Sequence, residues 1–86
     1  MRLNIFSPDR ILYQNGFISI ILPTITGEIS VLQNHAPLIV PLKEGKIRVR
    51  DRREKEFFFE IERGILEVNP KEVNILITPK ENRDRG

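Results

Sequence analysis

The chain has no cysteine, no tryptophan and a single histidine, and it has no long hydrophobic run. Each absence removes a class of protein. Without cysteine there are no disulfide staples, no thiolate zinc sites and no cysteine nucleophile. With one histidine, any metal centre would rest on carboxylates alone, so neither a metal nor a cofactor is expected. A membrane span needs roughly 18 consecutive apolar residues, and no run here approaches that length. Pro8 and Asp9 interrupt the place where a signal peptide would continue, so the mature chain is expected to start at Met1. A strong excess of either charge is also missing: 14 basic side chains face 12 acidic ones, for a net charge of +2. That near balance argues only weakly for nucleic acid.

What is present is a chain of 86 residues, 40% hydrophobic and 30% charged, which suits one globular domain with a thin core. No window carries a 3.6-residue apolar period. Short alternating runs separated by turn signals predict about nine strands in an all-β sandwich or barrel. "RLNIF" alternates and is broken by Ser7, Pro8 and Asp9. "RILYQ" meets Asn15-Gly16, a hairpin signal that should turn it into "FISIIL". After a Pro23–Gly27 loop come "EISVL" and "LIV", the latter beyond the His35-Ala36-Pro37 loop. "KIRVRDR" and "EKEFFFEIE" follow, Gly64 is expected to break the run before "ILEVN", and "VNILIT" closes the domain at residue 78. The segment 79–86 is charged, with no apolar stripe, and reads as a frayed tail or a linker.

"KIRVRDRREKEFFFEIE" sets arginines beside phenylalanines, as single-strand nucleic-acid binders do. A hairpin with a three-residue turn at Arg53–Lys55 offers another account. It pairs Arg52 with Glu56, Arg50 with Phe58, Arg48 with Glu60 and Lys46 with Glu62 on the outer face. Inside, Ile47 faces Ile61 and Val49 faces Phe59. The basic stripe is then balanced by its own partner strand. A small β-barrel nucleic-acid-binding module stays as the alternative reading. An enzyme is not expected: Ser7, Ser19 and Ser30 stand in no nucleophile motif, and no phosphate-cradling glycine run exists. His35, alone in its loop, reads as a side chain that holds the loop.

"LPTITGEISVLQNHAPLIVPLKEGKIRVR" resembles the N-terminal domain of the ε subunit of F-type ATP synthases. The family's elements stand as Leu22-Pro23, Gly27-Glu28, Val31-Leu32, His35-Ala36-Pro37 and Gly45, with a second block at Gly64, Leu66, Glu67 and Val68. "LNIFSPDRIL" is similar to the family's start, so the likeness reaches about Ile77. Where many members have Pro-Gly, this chain has Gln33-Asn34; Ser30 and Arg63 replace common glycines. The family's C-terminal helical hairpin is not in these residues, so its regulation and nucleotide sensing are not implied.

The resemblance implies a flattened two-sheet β-sandwich of short, mostly antiparallel strands. It implies a non-catalytic rotor subunit that links the γ subunit to the membrane c-ring and couples proton flow to ATP synthesis. Such a subunit is peripheral to the membrane through its partners, on a bacterial cytoplasmic face or a thylakoid stromal face. Ser7 and Val40 are then expected at γ. Glu28, with Gln33, Asn34 and His35, is expected at the end of the sandwich that faces the c-ring.

Overall fold

The computed structural model describes residues 1–80, and every regular element in it is a strand. In chain order these are β1 (Arg2–Phe6), β2 (Ile11–Gly16), β3 (Ser19–Thr24), β4 (Gly27–Leu32), β5 (Leu38–Leu42), β6 (Gly45–Arg50), β7 (Glu56–Val68) and β8 (Glu72–Pro79). Hydrogen bonding is continuous in the order β2-β1-β8-β7-β6-β3-β4, with β5 also on β7. The β1–β8 pairing is parallel, and the others are antiparallel.

β7 turns this ladder into a sandwich. Its first half, Glu56–Ile61, pairs with β6, and its second half pairs with β5 and β8. Between Ile61 and Arg63 the register with β8 shifts, and such a bulge bends a strand. One sheet is β2-β1-β8-β7-β5 and the other is β7-β6-β3-β4. β5 and β6 run along the same edge of β7, interrupted only at Lys43 and Glu44. Between the sheets lie Leu3, Ile5, Val73 and Ile75 from one side and Ile20, Leu22, Ile47 and Val49 from the other, all sealed from solvent. At one margin Tyr13 of β2 meets Phe57 and Phe59 of β7 edge-on, with ring centroids 5.6 and 6.4 Å apart.

Four expectations change. The first is the count: eight strands form because Gly64 does not break β7 but lies inside it. The second is Asn15-Gly16, which forms no hairpin between β2 and β3. β4 and β6 occupy both edges of β3, so β2 pairs with β1 and the chain crosses to the other sheet through buried Phe17. The third is the β6–β7 register. Lys46 faces Glu60, Ile47 faces Phe59, Arg48 faces Phe58, Val49 faces Phe57 and Arg50 faces Glu56. The faces are as expected, but the register is displaced by two residues.

The cause of that displacement is local. Asp51 rather than Arg52 closes the turn, with its amide donating to Lys55 O at 2.9 Å. Asp51 Oδ1 accepts from the amides of Arg53 and Lys55 at 2.8 and 2.9 Å, and Glu54 takes a left-handed φ of 67°. Starting the turn one residue earlier moves the pairing by two. The expected row of ion pairs shrinks to the facing pairs Lys46/Glu60 and Arg50/Glu56. Among the described residues the only salt bridge is Lys80–Glu44, at 2.8 Å. The cation over an aromatic ring is Lys46, 5.4 Å from the Phe58 centroid. Asp51→Ala is expected to cost about 1–2 kcal/mol, since two turn amides lose their acceptor. Asp51→Asn should lose less, and urea unfolding of both variants checks the order.

The fourth change concerns the end of the domain. β8 continues through Pro79, and the Lys80 amide donates to Glu60 O at 2.9 Å, so residues 79 and 80 belong to the fold. The rest of the expected tail, 81–86, lies outside the described residues.

Tyr13 supplies a pH test. Its hydroxyl donates to Gly16 O at 2.8 Å; burial, and next the Asp51 carboxylate, raise its pKa above the ordinary tyrosine value. A group whose folded pKa is raised stabilises the fold below its unfolded pKa, and that contribution disappears as pH climbs through the folded pKa. Stability should therefore fall above about pH 10. Tyr13→Phe should flatten this alkaline decline in chemical unfolding curves.

Candidate protein-docking surface

Alternation sends β1 residues Arg2, Asn4 and Phe6 to the outside of the first sheet, with Glu72, Asn74 and Leu76 of β8 and Ile65 and Glu67 of β7. Following the register across all five strands gives one unbroken row: Ile11, Phe6, Leu76, Ile65 and Pro41. Every member is apolar. Ile11, Ile65 and Leu76 each keep about half their surface in water, and Ile39, on the neighbouring rank of edge strand β5, is 73% exposed. Scattered exposed apolar side chains are ordinary, whereas a contiguous row on a sheet face marks an interaction surface. Covering these four exposed side chains would contribute about 1 kcal/mol apiece.

The adjacent rank is polar: Gln14, Asn4, Asn74 and Glu67 in register, with Glu72 beside them. Asn4 Nδ2 donates to Asn74 Oδ1 at 2.9 Å and to Glu72 Oε1 at 3.1 Å. Asn74 Nδ2 donates to Glu67 Oε1 at 3.1 Å and to Glu72 Oε2 at 3.3 Å. Neither the row nor this ladder was expected as a site. The signals are in the sequence: "LNI" in β1 and "VNI" in β8 repeat one polar position between core residues. Ile75-Leu76-Ile77 puts an apolar residue where alternation calls for a polar one.

The two residues expected at γ flank this face. Ser7 follows Phe6 and is nearly buried; its amide and hydroxyl both donate to Arg10 O, closing the β1–β2 connection. Val40 lies between the exposed Ile39 and Pro41, half-buried with its side chain packed against the core. The exposed apolar surface of "LIVPL" is thus carried by Ile39 and Pro41 rather than by Val40.

The residues expected at the c-ring separate. Glu28 is exposed opposite Pro23, beside the β3–β4 turn, where Thr24 Oγ1 donates to Gly27 O at 2.6 Å. Exposed Ile25 forms the tip of that turn. Gln33, Asn34 and His35 follow Leu32, which faces Ser19 at the opposite end of β4. Four strand residues lie between Glu28 and Gln33, a span of roughly 17 Å, so the expectation of one shared end is overturned. In the second loop the Gln33 side chain donates to Phe17 O, and Asn34 takes a left-handed φ of 63°. The half-buried His35 ring is bonded through Nδ1 to Ala36 O at 2.7 Å, the loop-holding contact that its isolation suggested.

Among the described residues no group of three His, Asp or Glu side chains gathers as a metal site. No helix there is long and apolar enough to cross a membrane.

This architecture matches a known family. Residues 1–82 fit the ATP synthase Delta/Epsilon chain beta-sandwich domain, and the chain belongs to that family. It is 37% identical over 84 residues to the ATP synthase epsilon chain of Moorella thermoacetica, covering 98% of this chain and 63% of that one. It is 33% identical over 81 residues to the chloroplastic epsilon chain of Pelargonium hortorum, covering 94% and 60%. The chain thus spans about three-fifths of the length of these relatives. Among solved structures it resembles a chain of the Euglena gracilis mitochondrial ATP synthase OSCP/F1/c-ring assembly, with a TM-score of 0.82 and 27% identity, over 87% of this chain and 48% of that one. A chain of the Tetrahymena thermophila central stalk/c-ring has the same fold, with a TM-score of 0.78 and 16% identity, over 91% and 63%.

Two features of the family likeness have physical grounds here. A Cβ on Gly45 would stand 2.9 Å from the Pro23 ring, so Leu22-Pro23 and the glycine turn are one packing unit. Lys43 N donates to Pro23 O at 3.1 Å across the same junction.

Proposed function

We propose that this domain is a non-catalytic central-stalk component of an F-type ATP synthase, docked on the γ subunit and bearing on the c-ring. It couples ring rotation to the catalytic head by holding a fixed position rather than by chemistry. The single observation that carries the reading is the apolar row Ile11–Phe6–Leu76–Ile65–Pro41, extended by Ile39, on the outer face of the first sheet. That face docks on γ, with Ser7 and Val40 at its borders. The exposed β3–β4 turn, with Glu28, reaches towards the c-ring. A carboxylate on such a tip can pair with basic or amide groups of the ring's polar loops, worth about 0.2–1 kcal/mol per pair. Gln33, Asn34 and His35 form a second loop whose side chains first serve its own geometry. The domain sits at the membrane through these partners, on the face that carries the catalytic head.

The test replaces Ile65 and Leu76 together by aspartate. Both side chains already lie half in water, so the fold should survive, and circular dichroism checks that it does. Binding to the γ subunit should weaken by about a hundredfold or more, because two charges would be buried in an apolar contact. Undiminished binding by the folded variant rejects the docking face.

A further inference from the structure

The two asparagines of the polar ladder have spent all their side-chain donors. Asn4 and Asn74 together own four side-chain N–H bonds, and all four are used: two go to Glu72, one to Glu67 and one from Asn4 to Asn74. What remains on Asn4, Asn74, Glu67 and Glu72 is acceptor capacity. Both carboxylates keep unused lone pairs, and Asn4 Oδ1 has no partner, although Asn4 is only 5% exposed. Turning the Asn4 amide over does not repair this. It would set the oxygen against Glu72 Oε1 and Asn74 Oδ1, three acceptors with no proton between them.

Among the described residues no cation forms a salt bridge with either charge. Arg2 faces Glu72 in register and Lys71 precedes it, yet the only salt bridge among the described residues is Lys80–Glu44, elsewhere on the surface. Glu67 and Glu72 are half-buried, and interfaces place such acceptors where a partner supplies further donors. Two carboxylates held at fixed spacing by amides suit a planar fork of N–H groups better than a point charge. The ladder also lies one rank from Leu76 and Ile65, where a docked partner would exclude water and strengthen the pairing.

We infer that Glu67 and Glu72, oriented by Asn4 and Asn74, form an acidic socket for an arginine of the docked γ subunit. The inference rests on the docking face proposed above and adds its polar determinant. The apolar row supplies affinity and the socket fixes the position of the partner along the sheet.

The experiment uses this chain in complex with the γ subunit of its own ATP synthase. Affinity is measured at about 50 mM and about 500 mM NaCl, a range over which exposed charge pairing is largely screened. The near-isosteric variant Glu67→Gln/Glu72→Gln should keep its thermal midpoint within a few degrees. It should bind γ about tenfold or more weakly at low salt and lose most of the salt dependence. Glu67→Lys should weaken binding further, and one Arg→Glu change in γ should restore it, identifying the occupant. If the Gln variant keeps both affinity and salt dependence while Ile65→Asp/Leu76→Asp loses binding, the socket is refuted and the docking face stands. If the aspartate variant still binds, the face is wrong and the socket goes with it. Binding that collapses on chelation and returns with Mg²⁺ or Ca²⁺ would assign the socket to a cation and overturn the arginine.

Discussion

Gly64→Val is expected to lower stability by about 3 kcal/mol or more, enough to leave a domain of this size largely unfolded at physiological temperature. A Cβ at residue 64 would lie 2.8 Å from Leu76 O, 3.2 Å from the Ile77 side chain and 3.4 Å from Leu42. The nearest of these is backbone in β8, itself clamped between β1 and β7, so it cannot move aside without breaking ladder bonds. Gly64→Ala meets the same oxygen and should already be costly. The cause is close approach, not freedom of φ. Urea unfolding of the two variants checks this, and a loss under about 1 kcal/mol for valine would mean that β8 yields more easily than its position allows.

Ile75→Ala is the second large effect. Ile75 faces Ile5 across β1 and Leu66 across β7, and all three are sealed from solvent. Removing three carbons from the centre of a thin sandwich leaves a cavity walled by strands that cannot collapse inward. The expected loss is about 3–4 kcal/mol, within the range for such truncations. Ile75→Val keeps most of the volume and should cost about 1 kcal/mol. Denaturant midpoints for the pair measure the cavity contribution, provided the slopes stay equal.

The strands and their faces could be read from the sequence because period-2 alternation survives wherever one face is buried. Ile47 and Val49 inward with Lys46, Arg48 and Arg50 outward needed nothing more. Register was harder. It turned on whether Asp51 or Arg52 closes a turn, and the deciding bonds run from backbone amides to one carboxylate oxygen. Asn15-Gly16 misled because a local turn signal cannot show that both edges of β3 are already taken. Gly64 misled for the opposite reason: the glycine serves a neighbour, β8, that is distant in sequence.

The family likeness suggested the partners proposed above, and the residues it pointed to for γ lie beside the exposed face rather than on it. Ser7 and Val40 are adjacent in sequence to Phe6, Ile39 and Pro41 but point elsewhere or close their own turn. The face itself emerges only when five strands are put in register. The acidic socket needed still more, because its claim rests on donors of β1 and β8 and acceptors of β7 and β8 counted at once.

The place of β8 has a consequence in time. Of the eight described strands it is the last to be synthesised, yet it sits in the middle of its sheet, between the first strand and the longest. Until it arrives, β1 and β2 have no hydrogen-bonded route to β7, and Leu3 and Ile5 belong to a two-strand ribbon not yet joined to the rest. The other sheet can pair earlier, since β3, β4, β6 and the first half of β7 precede it on the ribosome. Folding should thus proceed as an open half-barrel waiting for one wedge, and this long-range closure should set the rate of the final step.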